Sequence, residues 1–216
     1  MKELTVGTDG VIGSTVTRHV MVRKILLACG ILSSLLYVAA TILAAMVWEG
    51  YNSIVQPVSE LGAIDAPSQP LMIMLSTIYD LLVLAFGIGV WRSAEGQRTL
   101  RIVAGLLLGY GVACLLAPLT PIHFRGTAWT LTDTLHLVFA AVDVLFIVLI
   151  LVFGANAFGK GFRLYSIGTI LLGAVSGVLM GLDAPHFGLW ERLNIFSFML
   201  WIAVFAIALW RSQKEA

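Results

Sequence analysis

The sequence predicts an all-α, polytopic membrane helical bundle with six transmembrane helices and both termini in the cytoplasm. Three observations predict it: six long apolar runs, a one-sided distribution of Lys and Arg, and Trp residues at the ends of the runs. The composition agrees, because 59% of the 216 residues are hydrophobic and 12% are charged. A soluble domain carries about twice that charged fraction, so too few charges remain to cover a surface exposed to water.

The six runs match the thickness of a bilayer. A spanning helix needs roughly 20 apolar residues, because the hydrocarbon core is about 30 Å thick. The second and fourth runs each contain one charged residue, Asp80 and Asp143 respectively. We therefore predict one transmembrane domain over residues 21–211. Its runs cover residues 25–47, 71–91, 102–119, 134–153, 164–182 and 193–210.

The sequence predicts a tail at each end of the chain. Residues 1–20 mix Gly, Thr, Ser and scattered charges without an apolar period, which predicts a disordered cytoplasmic tail. Residues 212–216 form a second, short cytoplasmic tail. The first apolar run is too long for the hydrophobic region of a signal peptide, so we interpret it as a membrane anchor.

The basic residues predict the orientation. Of the 13 Lys and Arg residues, all but Arg125 and Arg192 fall in the tails, the 2–3 loop or the 4–5 loop. Short cytoplasmic loops carry the excess of Lys and Arg, which predicts a multi-pass protein of the cell membrane with cytoplasmic termini. The lipid bilayer is then its first partner. A net charge of +1 argues against nucleic acid, whose phosphates require a basic field.

Two predicted helices carry glycines at four-residue spacing. Helix 5 has Gly173, Gly177 and Gly181, and helix 3 has Gly105 and Gly109. Because lipid gives little hydrophobic drive between helices, small residues promote close approach. We expect both helices to be central and tightly packed. The alternative is a seam between two copies of the chain, which would make the protein a homo-oligomer.

The reactive side chains gather on the predicted outer side, where they indicate a polar pocket. The alternative is that outer loops are simply polar and avoid Lys and Arg. We expect Arg192 to pair with a carboxylate there, such as Glu60 or Asp183. The outer group comprises Glu49, Glu60, Asp65, Asp133, Asp183, Glu191, His123, His136 and His186.

Helix 4 extends this polar group into the membrane. Asp133, His136 and Asp143 lie at i, i+3 and i+10 and so share one helical face. Asp80 of helix 2 lies at a depth similar to that of Asp143. A charged residue at the bilayer centre costs roughly 2.5–3.5 kcal/mol by insertion scales, so both aspartates should face the bundle interior. They are either functional or structural, and a proton- or ion-coupled carrier is one interpretation.

A metal site is a further interpretation of the outer residues. His123, His136, His186 and Asp133 are suitable ligands for zinc or another divalent metal. Three protein ligands and a water would suit a metal-dependent membrane hydrolase. The sequence has no HExxH or paired CxxC motif, and no GxSxG, P-loop or GxGxxG pattern. No cofactor is therefore assured, and whether the chain is an enzyme stays open.

Three short segments resemble a known family. They are Tyr51-Asn52-Ser53-Ile54 leading to Ser59-Glu60-Leu61-Gly62, the histidine that opens helix 4 (His136), and Gly188 to Asn194 followed by Trp201. Together they resemble the prokaryotic membrane proteins catalogued as domain of unknown function 998. The resemblance covers roughly residues 20–210 and implies about six helices in the cell membrane, with no established activity. It directs attention to Ser59, Glu60, His136, Glu191 and Arg192.

The function that the sequence favours is therefore broad. We expect an integral membrane protein with an outward-facing polar pocket that binds a lipid headgroup, small ligand or ion. The residues expected to form the pocket are Ser59, Glu60, Asp80, Asp133, His136, Asp143, Asp183, Glu191 and Arg192.

Overall fold

A computed structural model describes residues 8–212 of the chain, with side chains described from residue 18 onward. Every regular element in this range is helical, and six segments are long and apolar enough to cross a membrane. The all-α, six-helix prediction is confirmed, and the chain is an integral membrane protein. The helices are α1 (Thr8–Val47), α2 (Gln69–Arg92), α3 (Arg98–Leu116), α4 (Leu131–Gly154), α5 (Lys160–Leu182) and α6 (Phe187–Ser212).

The first helix begins earlier than the predicted membrane run. α1 starts at Thr8, so it includes part of the segment for which the sequence predicts a disordered tail. Once a helix is nucleated, each further residue adds a hydrogen bond at little extra cost, which lets the anchor continue past its apolar part. The parts of the predicted tails that cover residues 1–7 and 213–216 lie outside the described residues.

Local sequence signals explain where several helices begin and end. Thr130 and Asp133 form a reciprocal capping box at the start of α4, which satisfies backbone N–H groups that have no partner within the helix. Between α2 and α3 the chain turns through Gly96, whose φ of 89° lies in the left-handed region that favours glycine.

Aromatic side chains of α6 form the centre of the bundle. Trp201 and Phe205 are completely buried and stack with their ring centroids 4.9 Å apart. Phe205 also meets Phe86 of α2, and Phe198 meets Tyr110 of α3. Consecutive helices pack against one another, and α1 packs against α6. Six helices thus enclose a core that α6 dominates.

The glycine-rich helix α5 lies at the periphery. Its only buried residues are Ser166, Thr169 and Ser176, so the prediction of a central, tightly packed α5 is wrong. The nearest atom to a Cβ at Gly173 or Gly177 is the side-chain nitrogen of Asn194, at 3.8 and 4.0 Å. Lipid can cover an apolar helix face without penalty, so glycine spacing does not require a neighbouring helix.

The loops divide the bundle into two chemically distinct ends. Residues 48–68, 120–130 and 183–186 connect the helices at one end, which we call the acidic end. A backbone hydrogen bond from Ile64 N to Ile122 O joins the first two loops, and one from Leu189 N to Ile54 O joins the start of α6 to the first loop. At the other end, the basic end, Arg23 of α1 pairs with Glu95 in the α2–α3 loop. The orientation of the two ends in the membrane stays a prediction.

Candidate binding site at the acidic end

The α1–α2 loop folds back on itself at the acidic end. The side chain of Asn52 accepts a hydrogen bond from Ile54 N at 3.0 Å, and Asn52 N donates to Gln56 Oε1 at 2.8 Å. The Tyr51 hydroxyl donates to Pro57 O at 2.7 Å. Burial raises the pKa of this hydroxyl, although its hydrogen bond with Arg192 acts in the opposite direction. Short-range side-chain bonds thus stabilise an ordered loop above the bundle.

Arg192 at the start of α6 holds this loop in place. Its Nη1 donates to Ser53 O at 2.6 Å, to Gln56 O at 2.9 Å and to Gly188 O at 3.0 Å. Its Nη2 bonds the Tyr51 hydroxyl, and the guanidinium lies 5.5 Å from the Tyr51 ring centre. The predicted pairing of Arg192 with Glu60 or Asp183 is wrong, because backbone carbonyls of the folded loop occupy its donors.

Two neighbours of Arg192 bring α6 still closer to the loop. Glu191 accepts a short hydrogen bond from Val58 N, which links α6 to the 3-10 turn Val58–Gly62. A Cβ added to Gly188 would lie 2.2 Å from Gln56 O and 2.8 Å from Ser53 O. Only a residue without a side chain permits this approach between the helix and the loop backbone.

The buried carboxylate of Glu60 forms an ion pair with Arg125 from the α3–α4 loop. Glu60 is 3% exposed, and its Oε1 accepts from Arg125 Nε at 2.9 Å and from Arg125 N at 3.3 Å. Its Oε2 accepts from Gln56 Nε2 at 3.1 Å. Arg125 Nη2 donates to Val55 O at 2.8 Å. Paired and hydrogen-bonded carboxylates of this kind tolerate burial.

An open cleft of about 470 Å³ contains this ion pair. The Arg125 side chain lines the cleft and is 44% exposed, although its guanidinium also lies 5.4 Å from the centre of the Phe187 ring. Aromatic side chains form part of the wall, with the Trp48 and Phe124 rings 5.4 Å apart. The cleft therefore combines one accessible cation with apolar surface. Its lining residues are Trp48, Val55, Gln56, Glu60, Phe124 and Arg125.

The three predicted metal-binding histidines take separate partners. His123 Nδ1 lies 3.1 Å from Asp133 Oδ2, and His136 Nδ1 lies 3.0 Å from Thr120 O. Because a carbonyl only accepts, His136 donates from Nδ1. Within the range whose side chains are described, no group of three His, Cys, Asp or Glu residues could hold a metal ion. The zinc site and the metal-dependent hydrolase stay predictions.

Asp183 and His186 form a further pair between α5 and α6. His186 Nδ1 lies 2.9 Å from Asp183 Oδ1, and Trp190 Nε1 donates to Asp183 Oδ2 at 3.1 Å. The hydrogen bond with His186, followed by that with Trp190, lowers the pKa of the Asp183 carboxyl. This pair lies in the α5–α6 turn and is not among the residues that line the cleft.

The predicted site residues therefore separate into distinct groups. Glu60, Glu191 and Arg192 organise the α1–α2 loop, and Ser59 lies half-buried beside Glu60. Asp133 and His136 fix the α3–α4 loop to α4 through the contacts above. Asp80 and Asp143 lie elsewhere, near the midpoints of α2 and α4, and the carrier interpretation rests on these two residues.

Sequence reasoning missed Arg125, Gln56, Trp48 and Phe124 as site residues. A signal was available for Arg125, because it and Arg192 are the two cations among many carboxylates at this end. The folded α1–α2 loop decides which of them meets Glu60. Trp48 directly follows α1, so its position alone indicates the membrane interface and gives no sign of a binding site.

Comparisons with known proteins produced one family match. A family model described as "Protein of unknown function (DUF998)" matches residues 31–208. Neither the search of curated proteins nor the search of solved structures found a match. The matched range includes all cleft residues and the loop that Arg192 holds.

Proposed function

Since this chain belongs to the DUF998 family, as its motifs predicted, and is a six-helix membrane protein of unknown function, we propose that it binds a phospholipid headgroup. The proposed site is the Arg125 cleft at the acidic end, and the recognised group is the phosphate. Of the pocket residues named from the sequence, Glu60 lines this cleft, and Glu191 and Arg192 hold the α1–α2 loop beside it.

The proposal depends on one observation, which is that the protein holds the Arg125 side chain in place and still leaves part of it exposed. Glu60 and Val55 fix one edge of it, while 44% of the side chain stays exposed in the cleft. A planar guanidinium with free donors matches the oxygens of a phosphate. Because Glu60 pre-orders the side chain, less conformational entropy is lost when an anion binds.

The position of the cleft favours a lipid over a soluble anion. Trp48 directly follows α1, so the aromatic wall lies at the end of a membrane-spanning helix. Tryptophan rings prefer this interfacial depth, where lipid phosphates also lie. The Trp48 and Phe124 rings offer an apolar surface to the glycerol and upper acyl region of the same lipid.

Lipid retention measured by native mass spectrometry tests the proposal. The full chain, purified in detergent, is titrated with phosphatidylglycerol and with phosphatidylethanolamine. We expect Arg125→Gln to weaken binding at least about tenfold, because a charge-assisted hydrogen bond contributes roughly 1.5–3 kcal/mol. The matched control is Arg101→Gln, which removes an exposed arginine near the opposite end.

The competing outcomes are distinct. Equal lipid binding by Arg125→Gln and wild type would remove the proposal. Displacement of the lipid by millimolar inorganic phosphate would identify a general phosphate site in place of a lipid site. Trp48→Ala should weaken binding of lipid while leaving any binding of inorganic phosphate unchanged, because the ring contacts only the apolar part.

The charge distribution supports a further part of the proposal, that the acidic end faces outward from the cell membrane and both termini are cytoplasmic. A single cysteine is introduced at the exposed position Ala128 or Gln97 in a variant that lacks Cys29 and Cys114. The first position reports the accessibility of the acidic end, and the second reports that of the basic end. An impermeant thiol reagent added to intact cells should label Ala128→Cys and spare Gln97→Cys. The reverse pattern would invert the topology and place the cleft in the cytoplasm.

A further inference from the structure

A second cavity lies at the basic end of the bundle, between α1 and α2. Its volume is about 320 Å³, and none of its lining residues belongs to the Arg125 cleft. Pockets that bind small ligands begin at about this volume. We call it the Arg92 cavity, and its lining residues are His19, Val20 and Arg23 of α1 and Arg92, the last residue of α2.

A glycine lets the two helices approach closely beside this cavity. A Cβ at Gly89 of α2 would lie 2.9 Å from the Leu26 Cβ and 3.0 Å from the Leu26 carbonyl carbon of α1. Arg23 precedes Leu26 by three residues, and Arg92 follows Gly89 by three. Because α1 ends and α2 begins at the acidic end, both steps lead about 4.5 Å toward the basic end. The close approach therefore brings the two arginines to the same level on adjacent helices.

The protein holds Arg23 in place without using all of its donors. Its Nη1 donates to Glu95 Oε1 at 2.8 Å, and the side chain is 20% exposed. Glu95 is its one side-chain partner among the described residues, and its Nε is buried without a partner there. The rest of the guanidinium is therefore available to an anion in the cavity that this side chain lines.

Arg92 leaves the cavity with a positive charge that no carboxylate offsets. Its side chain is exposed, and no ion pair between described side chains includes it. Glu95 compensates the charge of Arg23 but has no such contact with Arg92. The exposed ring of His19 offers a further N–H donor in the same lining. The cavity thus presents two guanidinium groups, an imidazole and one uncompensated positive charge.

We propose that the Arg92 cavity binds a phosphate group, carried by an anionic phospholipid or by a soluble phosphate. Planar guanidinium groups present N–H donors that match phosphate oxygens. Basic pockets between transmembrane helices bind anionic lipid headgroups. Trp91, which is 53% exposed beside Arg92, indicates the interfacial depth at which lipid phosphates lie. This site is at the opposite end from the Arg125 cleft and does not depend on the headgroup proposal made there.

Protection of Arg92 from chemical modification tests the site. The full chain in detergent is treated with phenylglyoxal, which modifies accessible arginines, and the modified residues are located by peptide mass spectrometry. Phosphatidylglycerol or inorganic phosphate, at ten times its dissociation constant, should slow modification of Arg92 about tenfold. Arg98 is exposed and does not line the cavity, so its modification should not change. Arg125 is followed in the same spectra, which distinguishes this site from the cleft.

Binding by matched variants gives an independent measurement. Native mass spectrometry is performed in an Arg125→Gln background, which removes the proposed contribution of the cleft. In this background Arg92→Gln should weaken binding of phosphatidylglycerol at least about tenfold, because charge-assisted hydrogen bonds are lost. The matched control is Arg98→Gln, which removes the same charge from the same end and should bind like its parent. Arg92 has no ion pair with a described residue, so its replacement should leave the fold intact.

Two results would overturn the proposal. One is modification of Arg92 that neither phosphatidylglycerol nor inorganic phosphate slows more than that of Arg98. The other is equal binding by Arg92→Gln and Arg98→Gln, which would show that lipid responds only to the general charge of the basic end. Protection by the lipid but not by millimolar inorganic phosphate would identify a headgroup as the source of the phosphate. Protection by inorganic phosphate would support a soluble source.

Discussion

Gly188→Ala is expected to destabilise the protein by about 3 kcal/mol, near the upper end of the cost of overpacking. The added Cβ would lie 2.2 Å from Gln56 O and 2.8 Å from Ser53 O. Both contacts are with backbone, which cannot rotate away as a flexible side chain can. Thermal unfolding of the full chain in detergent measures the effect, which should appear as a lowered Tm.

The matched control for this change is Gly168→Ala in α5. A Cβ at Gly168 meets nothing within 4 Å, and alanine favours a helix over glycine by roughly 0.5–1 kcal/mol. That variant should be as stable as wild type or slightly more so. Gly188→Ala should also weaken lipid binding, because the displaced segment includes Gln56 of the cleft. A Gly188→Ala protein with wild-type stability would mean that the α6–loop contact is not as close as described.

Arg192→Ala is the second change with a large expected effect, a loss of about 3–5 kcal/mol in the free energy of unfolding. Three backbone carbonyls and the Tyr51 hydroxyl would lose their charged donor. Hydrogen bonds to a charged group contribute roughly 1.5–3 kcal/mol each, but the contributions in one network are not additive. Chemical or thermal unfolding in detergent measures the loss.

One further variant separates the contribution of the guanidinium geometry from that of the positive charge, and a second serves as a control. Arg192→Lys keeps the charge but cannot reproduce the fixed geometry of the guanidinium donors, so it should recover only part of the stability. Arg101→Ala removes an exposed arginine and should stay within about 0.5 kcal/mol of wild type. If Arg192→Lys is as stable as wild type, the charge alone holds the loop and the proposed geometry is not required.

The membrane spans could be predicted from sequence because they depend on local properties. The predicted first run and α1 both end at residue 47, and the predicted fifth run and α5 both end at residue 182. Apolar length and the placement of charges determine these limits with little influence from the rest of the chain. α1 begins earlier than the predicted first run, because a helix can continue beyond its apolar residues without tertiary support.

The candidate site could be predicted only in part. The sequence directed attention to Glu60, Glu191 and Arg192 at the predicted outer side, and the structure describes all three at the acidic end. It did not identify the partner of Glu60, which lies 65 residues away at Arg125. Long-range pairing of this kind depends on how two loops fold against each other, and no local pattern encodes it.

By itself, the sequence determined that this protein is a six-helix membrane bundle with six of its 12 carboxylates and two of its arginines at one end. Transfer of side chains between water and lipid dominates that outcome, and each segment responds to it almost independently. The tertiary structure alone decided that Arg125 pairs with Glu60 while Arg192 holds backbone carbonyls. It also decided that α5 lies outside the core, because packing and hydrogen-bond geometry depend on contacts between segments distant in the chain.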